Sequence, residues 1–319
     1  MRAFVTGATG FVGSHLAEAL LARGDAVVCL ARRPEAAAAL AARGAEVVRG
    51  TLEDAPGLEG ALAGAEVVYH VAGLVAGSEA EYLAVNEAGT RCLADAVRRA
   101  APGARFVYLS SQAAVGPGRL LDEDAPCRPV SAYGRSKLGG ETVTRASGLV
   151  WTIVRPPSVY GPRDRAFLTV FKLAAKGLAP VFGRGNQELS LIYAPDLAAA
   201  TVRAGTHPLA GGRIYHVAHP GTVTSRELAL TVGRAVGRTP VVIPVPRFAV
   251  AGLVGLATMV QALRRRRSVV NLGKLDEFFA SAWTFDVGRA ARELDWRAAH
   301  DLDAGVRETA AWYRQERWL

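Results

Sequence analysis

The sequence predicts an α/β fold, a doubly wound parallel sheet joined to a smaller, discontinuous α/β part. Three observations carry this. Six short apolar runs within the first 155 residues alternate with helix-patterned segments. A glycine-rich turn follows the first run directly, at Thr6-Gly7-Ala8-Thr9-Gly10-Phe11-Val12-Gly13. Beyond Pro156 the alternation is lost, and Pro and Gly become frequent.

Each element follows from its pattern. Ala3-Phe4-Val5 reads as the first strand, followed by a helix from about Phe11 to Arg23. Ala26 to Leu30 is the second strand, followed by an Ala-rich helix from Glu35 to Arg43. Glu46-Val47-Val48 leads to a short helix ending near Leu62. Glu66 to Val71 precedes a helix from about Tyr82 to Ala100, and Arg105 to Leu109 precedes a helix around Tyr133 to Ala146. Trp151 to Val154 is the sixth strand. Short apolar strands separated by helices argue for a parallel sheet covered on both faces. Right-handed crossovers then give a doubly wound topology. The expected division is 1–155 plus 189–222 for the sheet domain, and 156–188 plus 223–319 for a substrate-binding part.

Composition narrows the function classes. A chain of 319 residues, half of them hydrophobic and 21% charged, is globular, not disordered. Cys29, Cys92 and Cys127 are too few and scattered for a disulfide framework or a zinc site, so free thiols in a reducing compartment and no bound metal are expected. The net charge of +9 rests almost wholly on arginine, the lysines being Lys137, Lys172, Lys176 and Lys274. No nucleic-acid motif accompanies it, so no nucleic-acid partner is expected. With no signal-peptide pattern, a cytoplasmic location is expected. The longest apolar run, Phe248 to Leu263, is shorter than the ~20 residues that span a bilayer, and Arg264 to Arg267 follow it. Two readings of 248–267 stand: a core helix with a solvated end, or a peripheral membrane contact.

The glycine turn is the first chemical signal. Glycine permits positive φ and a close backbone approach to a pyrophosphate, and the helix N-terminus adds free N–H groups. Strand, turn and helix together make this the dinucleotide-binding turn of a Rossmann-type sheet. The second strand ends Cys29-Leu30-Ala31-Arg32-Arg33, with no acid to accept from an adenosine ribose. Arg32 and Arg33 suit a 2′-phosphate, which favours NADP(H) over NAD(H). The bland alternative is a solvated loop before Pro34.

Tyr133-Gly134-Arg135-Ser136-Lys137 places a phenol and an ammonium four residues apart on one helix face. A lysine near the cofactor ribose is expected to lower the phenol pKa, so that Tyr133 exchanges a proton with a substrate oxygen. Strand five ends in Ser110-Ser111, where a hydroxyl can hold a substrate carbonyl. Successive side chains point opposite ways, so one of the two competes for the role.

These motifs resemble the extended short-chain dehydrogenase/reductase superfamily, also described as the NAD-dependent epimerase/dehydratase family. The Gly-x-x-Gly-x-x-Gly spacing of Gly7, Gly10 and Gly13 carries the resemblance, together with Tyr133-x-x-x-Lys137. So do Tyr69-His70-Val71-Ala72-Gly73, Val85-Asn86-Glu87-Ala88-Gly89-Thr90, Arg155-Pro156-Pro157-Ser158-Val159-Tyr160-Gly161-Pro162 and Leu191-Ile192-Tyr193-Ala194-Pro195-Asp196. The resemblance implies Ser111 as the catalytic serine. It implies cofactor contacts from Gly7, Thr9, Gly10, Phe11, Val12, Gly13, Leu52, Val71, Ala72, Gly73, Asn86, Tyr133, Lys137, Pro156 and Val159, and a homodimer. His70 reads as a packed histidine, and Asp196 as a cap or loop brace.

Three function classes remain. The first is a reductase or dehydrogenase of a ketone or alcohol on an apolar body, toward which the resemblance to dihydroflavonol reductases and 3β-hydroxysteroid dehydrogenases leans. The second is a nucleotide-sugar epimerase or dehydratase with a tightly held NAD(P). Its members usually carry an arginine seven residues before the Asp matched to Asp196; here Leu189 stands there, with Arg184 nearby. The third is a cofactor-bound scaffold, which would have no need of an activated phenol.

Overall fold

The computed structural model describes residues 1–252 and 274–319. Its strands, in chain order, are β1 (Arg2–Thr6), β2 (Ala26–Ala31), β3 (Glu46–Arg49), β4 (Val67–His70), β5 (Arg105–Leu109), β6 (Gly118–Leu121), β7 (Val150–Arg155), β8 (Ser158–Tyr160), β9 (Leu178–Phe182), β10 (Glu188–Leu189), β11 (Leu191–Tyr193), β12 (Arg213–His216), β13 (Val223–Thr224), β14 (Val241–Val245) and β15 (Ala282–Phe285). Seven of them form one parallel sheet in the order β3-β2-β1-β4-β5-β7-β12. The six runs read from the sequence are all there, and β12 adds a seventh strand at the edge. The order reverses between β1 and β4, and the crevice above that switch point is where ligands of such sheets sit.

Alternation along the strands builds two cores. Ala3 and Val5 pack with Leu16, Leu20 and Leu197, from the helices Phe11–Ala22 and Ala194–Thr206, on one face. Phe4 and Phe106 pack with Leu93 and Val97, from the helix Gly89–Ala100, on the other. Outside this sheet, β13-β10-β15-β6 form a four-stranded sheet, and β8 with β11 and β9 with β14 form two parallel ribbons.

Two helices differ from their expectation. The stretch Glu35–Arg43 is a 3₁₀ turn, Pro34–Ala37, followed by a single α-turn, Ala38–Ala41. The helix expected from Tyr82 starts at Glu79, fixed by a capping box in which Ser78 and Glu81 satisfy each other's backbone N–H. It then widens into a π turn at Ala84–Ala88 before continuing as Gly89–Ala100. The segment 248–267 lies mostly outside the described residues. Among the described residues no helix is long and apolar enough to cross a membrane.

Candidate active site

The turn after β1 is built for close approach. Gly7 has φ +74°, and a Cβ there would lie 2.7 Å from the Ala72 backbone nitrogen. A Cβ on Gly13 would overlap the Gly7 carbonyl oxygen, so helix and turn touch backbone to backbone. Gly10 is the N-cap of Phe11–Ala22; no side chain caps that end, and its first turn carries no acidic residue. Free N–H groups with uncompensated positive helix charge are what a pyrophosphate needs. Thr9 and Gly10 are exposed in the turn, while Val12, Val71 and Val159 pack around its base on the core.

A buried hydrogen-bond chain ties this turn to the rest of the site. The Ala72 N–H donates to Thr6 Oγ1 (3.1 Å), and the Thr6 hydroxyl to His70 Nδ1 (2.8 Å). His70 Nε2–H donates to Thr90 Oγ1 (2.9 Å), whose hydroxyl reaches the Asn86 carbonyl (2.7 Å). Each link is satisfied with His70 neutral, and burial, then Lys137, lowers its pKa to about 3. His70 is thus a packed connector.

Asn86 sits in the π turn, 1% exposed. Its Oδ1 accepts from the Leu74 N–H (2.7 Å), and its Nδ2 donates to the Leu74 carbonyl (3.0 Å) and to Ser136 Oγ (2.9 Å). One side chain therefore fixes the loop after β4 against the helix Ala132–Arg145. That helix carries Tyr133 and Lys137, and Ser131 caps it by accepting from the Gly134 N–H (3.1 Å). Gly134 and Gly140 let it lie directly on the Ala113 carbonyl and the Tyr108 hydroxyl.

The two serines after β5 separate. Ser110 is buried, and its hydroxyl donates to Glu141 Oε1 (2.6 Å). Ser111 caps the turn Gln112–Val115, accepting from the Ala113 N–H (3.2 Å), and its hydroxyl is near enough to the Tyr133 phenol to favour its ionised form. The Lys137 ammonium is buried, 4.3 Å from the Tyr108 ring centre and hydrogen-bonded to the Leu109 carbonyl (2.7 Å). Burial lowers its pKa to about 7 against the opposing pull of Glu141. A Cβ on Gly73 would lie 3.6 Å from Lys137 Nζ and 3.2 Å from Asn86 Oδ1. Ser111, Tyr133, Lys137, Asn86 and Gly73 thus share one locality.

The lowering of Tyr133 expected from Lys137 is not found in the chain alone. Burial pushes the phenol up to about 12; the nearby Ser111 hydroxyl opposes this, and Glu277 and Tyr82 add to it. The Lys137 ammonium is engaged by the Leu109 carbonyl instead.

The remaining expected residues lie around this centre. Leu52 packs against Gly89, below the loop after β3. Pro156 is buried, and its carbonyl accepts from the Gln112 N–H (2.8 Å). Arg32 and Arg33 are exposed after β2 and make no ion pair among the described residues. Phe11 meets the His15 ring edge-on, and Arg163 clamps Glu18 by two hydrogen bonds (3.0 and 2.7 Å), fixing the loop after β8 to the first helix. Asp196 braces His300 through that residue's Nδ1 (3.0 Å) and N–H (3.1 Å).

Sequence reasoning missed several members. Glu141, four residues after Lys137, forms a buried two-point ion pair with Arg155 (2.8 and 2.7 Å). Its i+4 spacing was a usable signal. Glu277, on the helix Lys274–Phe279, accepts from the Ser131 hydroxyl and faces Tyr82 and Tyr133. Nothing in the local sequence marks it.

The NAD-dependent epimerase/dehydratase family model matches residues 3–218. The chain belongs to that family. A ceramide reductase of Caulobacter vibrioides is 33% identical over 318 residues, covering 99% of this chain and 95% of its own. A farnesyl-dihydroquinoline-oxide ketoreductase of Stigmatella aurantiaca is 39% identical over 178 residues, 53% of either chain. The structure of Thermus thermophilus UDP-glucose 4-epimerase with NAD superposes with TM-score 0.77 at 25% identity, over 98% of this chain and 99% of that one. Membership makes the chain an NAD(P)-dependent enzyme of the extended short-chain dehydrogenase/reductase type, on a Rossmann-type sheet.

Proposed function

We propose that this family member is an NADP(H)-dependent ketoreductase, acting on a carbonyl carried by a largely apolar body. The observation that carries the reading is the meeting of Ser111, Tyr133 and Lys137 beside an uncapped helix N-terminus at the sheet's switch point. Similarity to a ceramide reductase along nearly the whole of both chains supports the apolar substrate. The bare guanidinium groups of Arg32 and Arg33, after a strand end without an acid, support the 2′-phosphate. Leu189 is an apolar strand residue in β10, where a nucleotide-sugar reading would want a cation. The division into 1–155 with 189–222 and 156–188 with 223–319 belongs to the same proposal, supported by the return of β12 to the sheet edge.

The bound nicotinamide would supply the hydride. Gly7, Gly10 and Gly13 would hold the pyrophosphate, and Lys137, beside Gly73, the ribose. Ser111 and Tyr133 orient the carbonyl oxygen, and Tyr133 donates its phenolic proton to the oxygen as negative charge develops there. Asn86 keeps the Lys137 helix in register with the loop that carries Gly73.

The test is a panel of long-chain ketones, small ketones and UDP-sugars, followed by NADPH absorbance and product analysis. The reading expects NADPH consumption with apolar ketones; UDP-sugar conversion without net cofactor change would replace it with the epimerase. Tyr133→Phe should lower kcat by at least ~10² with NADPH binding unchanged. A variant with wild-type turnover would remove Tyr133 from the chemistry.

A further inference from the structure

Among the described residues the β9/β14 ribbon has an apolar face covered only at one end, where Val245 packs against Val250 and Leu275, and Phe182 against Phe278 and Phe279. The strands pair in parallel, Val241 beside Leu178, Ile243 beside Pro180 and Val245 beside Phe182. Ala179 and Val181 point inward and are buried with Ala229 and Val242. The opposite face holds Leu178, Pro180 and Phe182 from β9, with Val241, Ile243 and Val245 from β14, every one apolar. Val241 is 66% exposed, and Phe248, just beyond the ribbon, 80%. Parallel strands normally have both faces covered.

The two segments that form this face carry cations and no acid; the acids Asp276 and Glu277 lie on the helix Lys274–Phe279 at its Phe182 end. Residues 168–187 and 238–250, which build the ribbon and its flanks, contain Lys172, Lys176, Arg184, Arg238 and Arg247 and no acidic residue. All five are exposed. Among the described residues only Arg247 of these has an ion-pair partner, Asp276 at 2.7 Å. A second copy docked face to face would set these cations against their own kind, so self-association is disfavoured. An apolar patch on segments whose exposed charges are cationic matches the surface of an anionic bilayer, where apolar groups enter the acyl boundary and cations meet the phosphates.

The face also connects to the catalytic centre. Phe182 stacks on Phe278 (4.8 Å between centroids, 12° between planes), with Phe279 edge-on at 5.6 Å. Both lie on the helix Lys274–Phe279, whose Glu277 accepts from Ser131, the cap of the catalytic helix.

We propose that the β9/β14 face, with Phe248, docks this enzyme on anionic membrane. A lipid-bodied ketone would then enter past Phe182 and Phe278 without crossing water. The delivery step rests on the ketoreductase reading; the docking does not.

The test is flotation of the full chain, without substrate, on vesicles of phosphatidylcholine alone and with about 30% phosphatidylglycerol. The wild type should partition at least about tenfold more strongly onto the anionic vesicles. Val241→Glu/Ile243→Glu lies apart from the 248–267 run and should lose that binding about tenfold or more, with an unchanged circular dichroism spectrum and unchanged turnover of a small soluble ketone. Lys176→Glu/Arg238→Glu should lose the preference for anionic lipid. Equal binding to neutral vesicles, or undiminished binding by Val241→Glu/Ile243→Glu, overturns the proposal. So does concentration-dependent self-association abolished by that pair without vesicle binding, which would assign the face to a second copy.

Discussion

Replacing Glu141 by Gln should destabilise the fold by about 3–5 kcal/mol, because it strands a buried guanidinium. Arg155 is 1% exposed and Glu141 fully buried. Their two contacts, 2.8 and 2.7 Å, correspond to roughly 6 kcal/mol of gross attraction at an effective dielectric constant near 20, most of it offset by desolvation. The cost therefore appears when one partner is removed. Without the carboxylate, Arg155 faces only neutral partners among the described residues: the Gln amide oxygen, the Glu123 carbonyl (3.5 Å) and Cys127 Sγ (3.4 Å). Arg155→Met should cost less, since Glu141 keeps the Ser110 hydroxyl (2.6 Å) and Arg145 (3.2 Å). Glu141→Leu/Arg155→Met should recover much of the loss, giving a coupling energy of about 2 kcal/mol or more. Equilibrium urea unfolding at pH 7 measures all of these, and Tm should fall by about 5–10 °C in Glu141→Gln. A loss below about 1 kcal/mol in Glu141→Gln would show that water reaches Arg155, refuting the closed pair.

Three further outcomes follow from the same geometry. Arg32→Ala/Arg33→Ala should raise KM for NADPH about tenfold or more and leave KM for NADH nearly unchanged, since charge-assisted hydrogen bonds contribute about 1.5–3 kcal/mol; steady-state kinetics with both cofactors decides it. Asn86→Ala removes three hydrogen bonds and should cost about 2–3 kcal/mol, with kcat falling more than KM rises. His70 and His216 are held near pKa 3 by burial, so the unfolded chain binds protons that the native chain refuses between about pH 6.5 and 3. Stability should fall as pH drops through that window, and His70→Asn should flatten the fall measured by urea unfolding at stepped pH.

The parallel sheet and the glycine turn were legible because they depend on local apolar runs and on backbone that only glycine fits. Tyr133 and Lys137 were legible because helix geometry makes a four-residue spacing a shared face. Strand alternation set Ser110 and Ser111 on opposite sides, and the buried Glu141 carboxylate then holds Ser110 away from Tyr133. Other parts depend on residues far apart in the chain. β12 lies within the 189–222 stretch expected on the sheet domain, but its edge position beside β7, some sixty residues earlier, is set by long-range pairing. β6 belongs with β15 across more than 160 residues, pairings to which a four-residue run gives no clue. The π turn at Asn86 is set by the contacts of Leu74 and Ser136, not by its own composition. Glu277 reaches Ser131 across 146 positions, and without it the charge around Tyr133 was misjudged.

That charge bears on the direction of the chemistry. A phenol pushed up to about 12 stays protonated throughout the neutral range, so Tyr133 stands ready as a proton donor. It remains acid enough for the task, since the alkoxide that forms on hydride arrival is a far stronger base than a phenolate. An oxidation would need the phenolate first, and the carboxylate of Glu277 opposes that ionisation. Glu277→Gln should therefore lower the Tyr133 pKa, moving the alkaline limb of kcat/KM for ketone reduction to lower pH and raising the rate of alcohol oxidation near neutrality. Matched pH profiles in both directions measure it. A limb that stays in place in Glu277→Gln, with the fold intact, would mean that Glu277 serves only to dock its helix on Ser131, and that burial alone holds Tyr133 protonated.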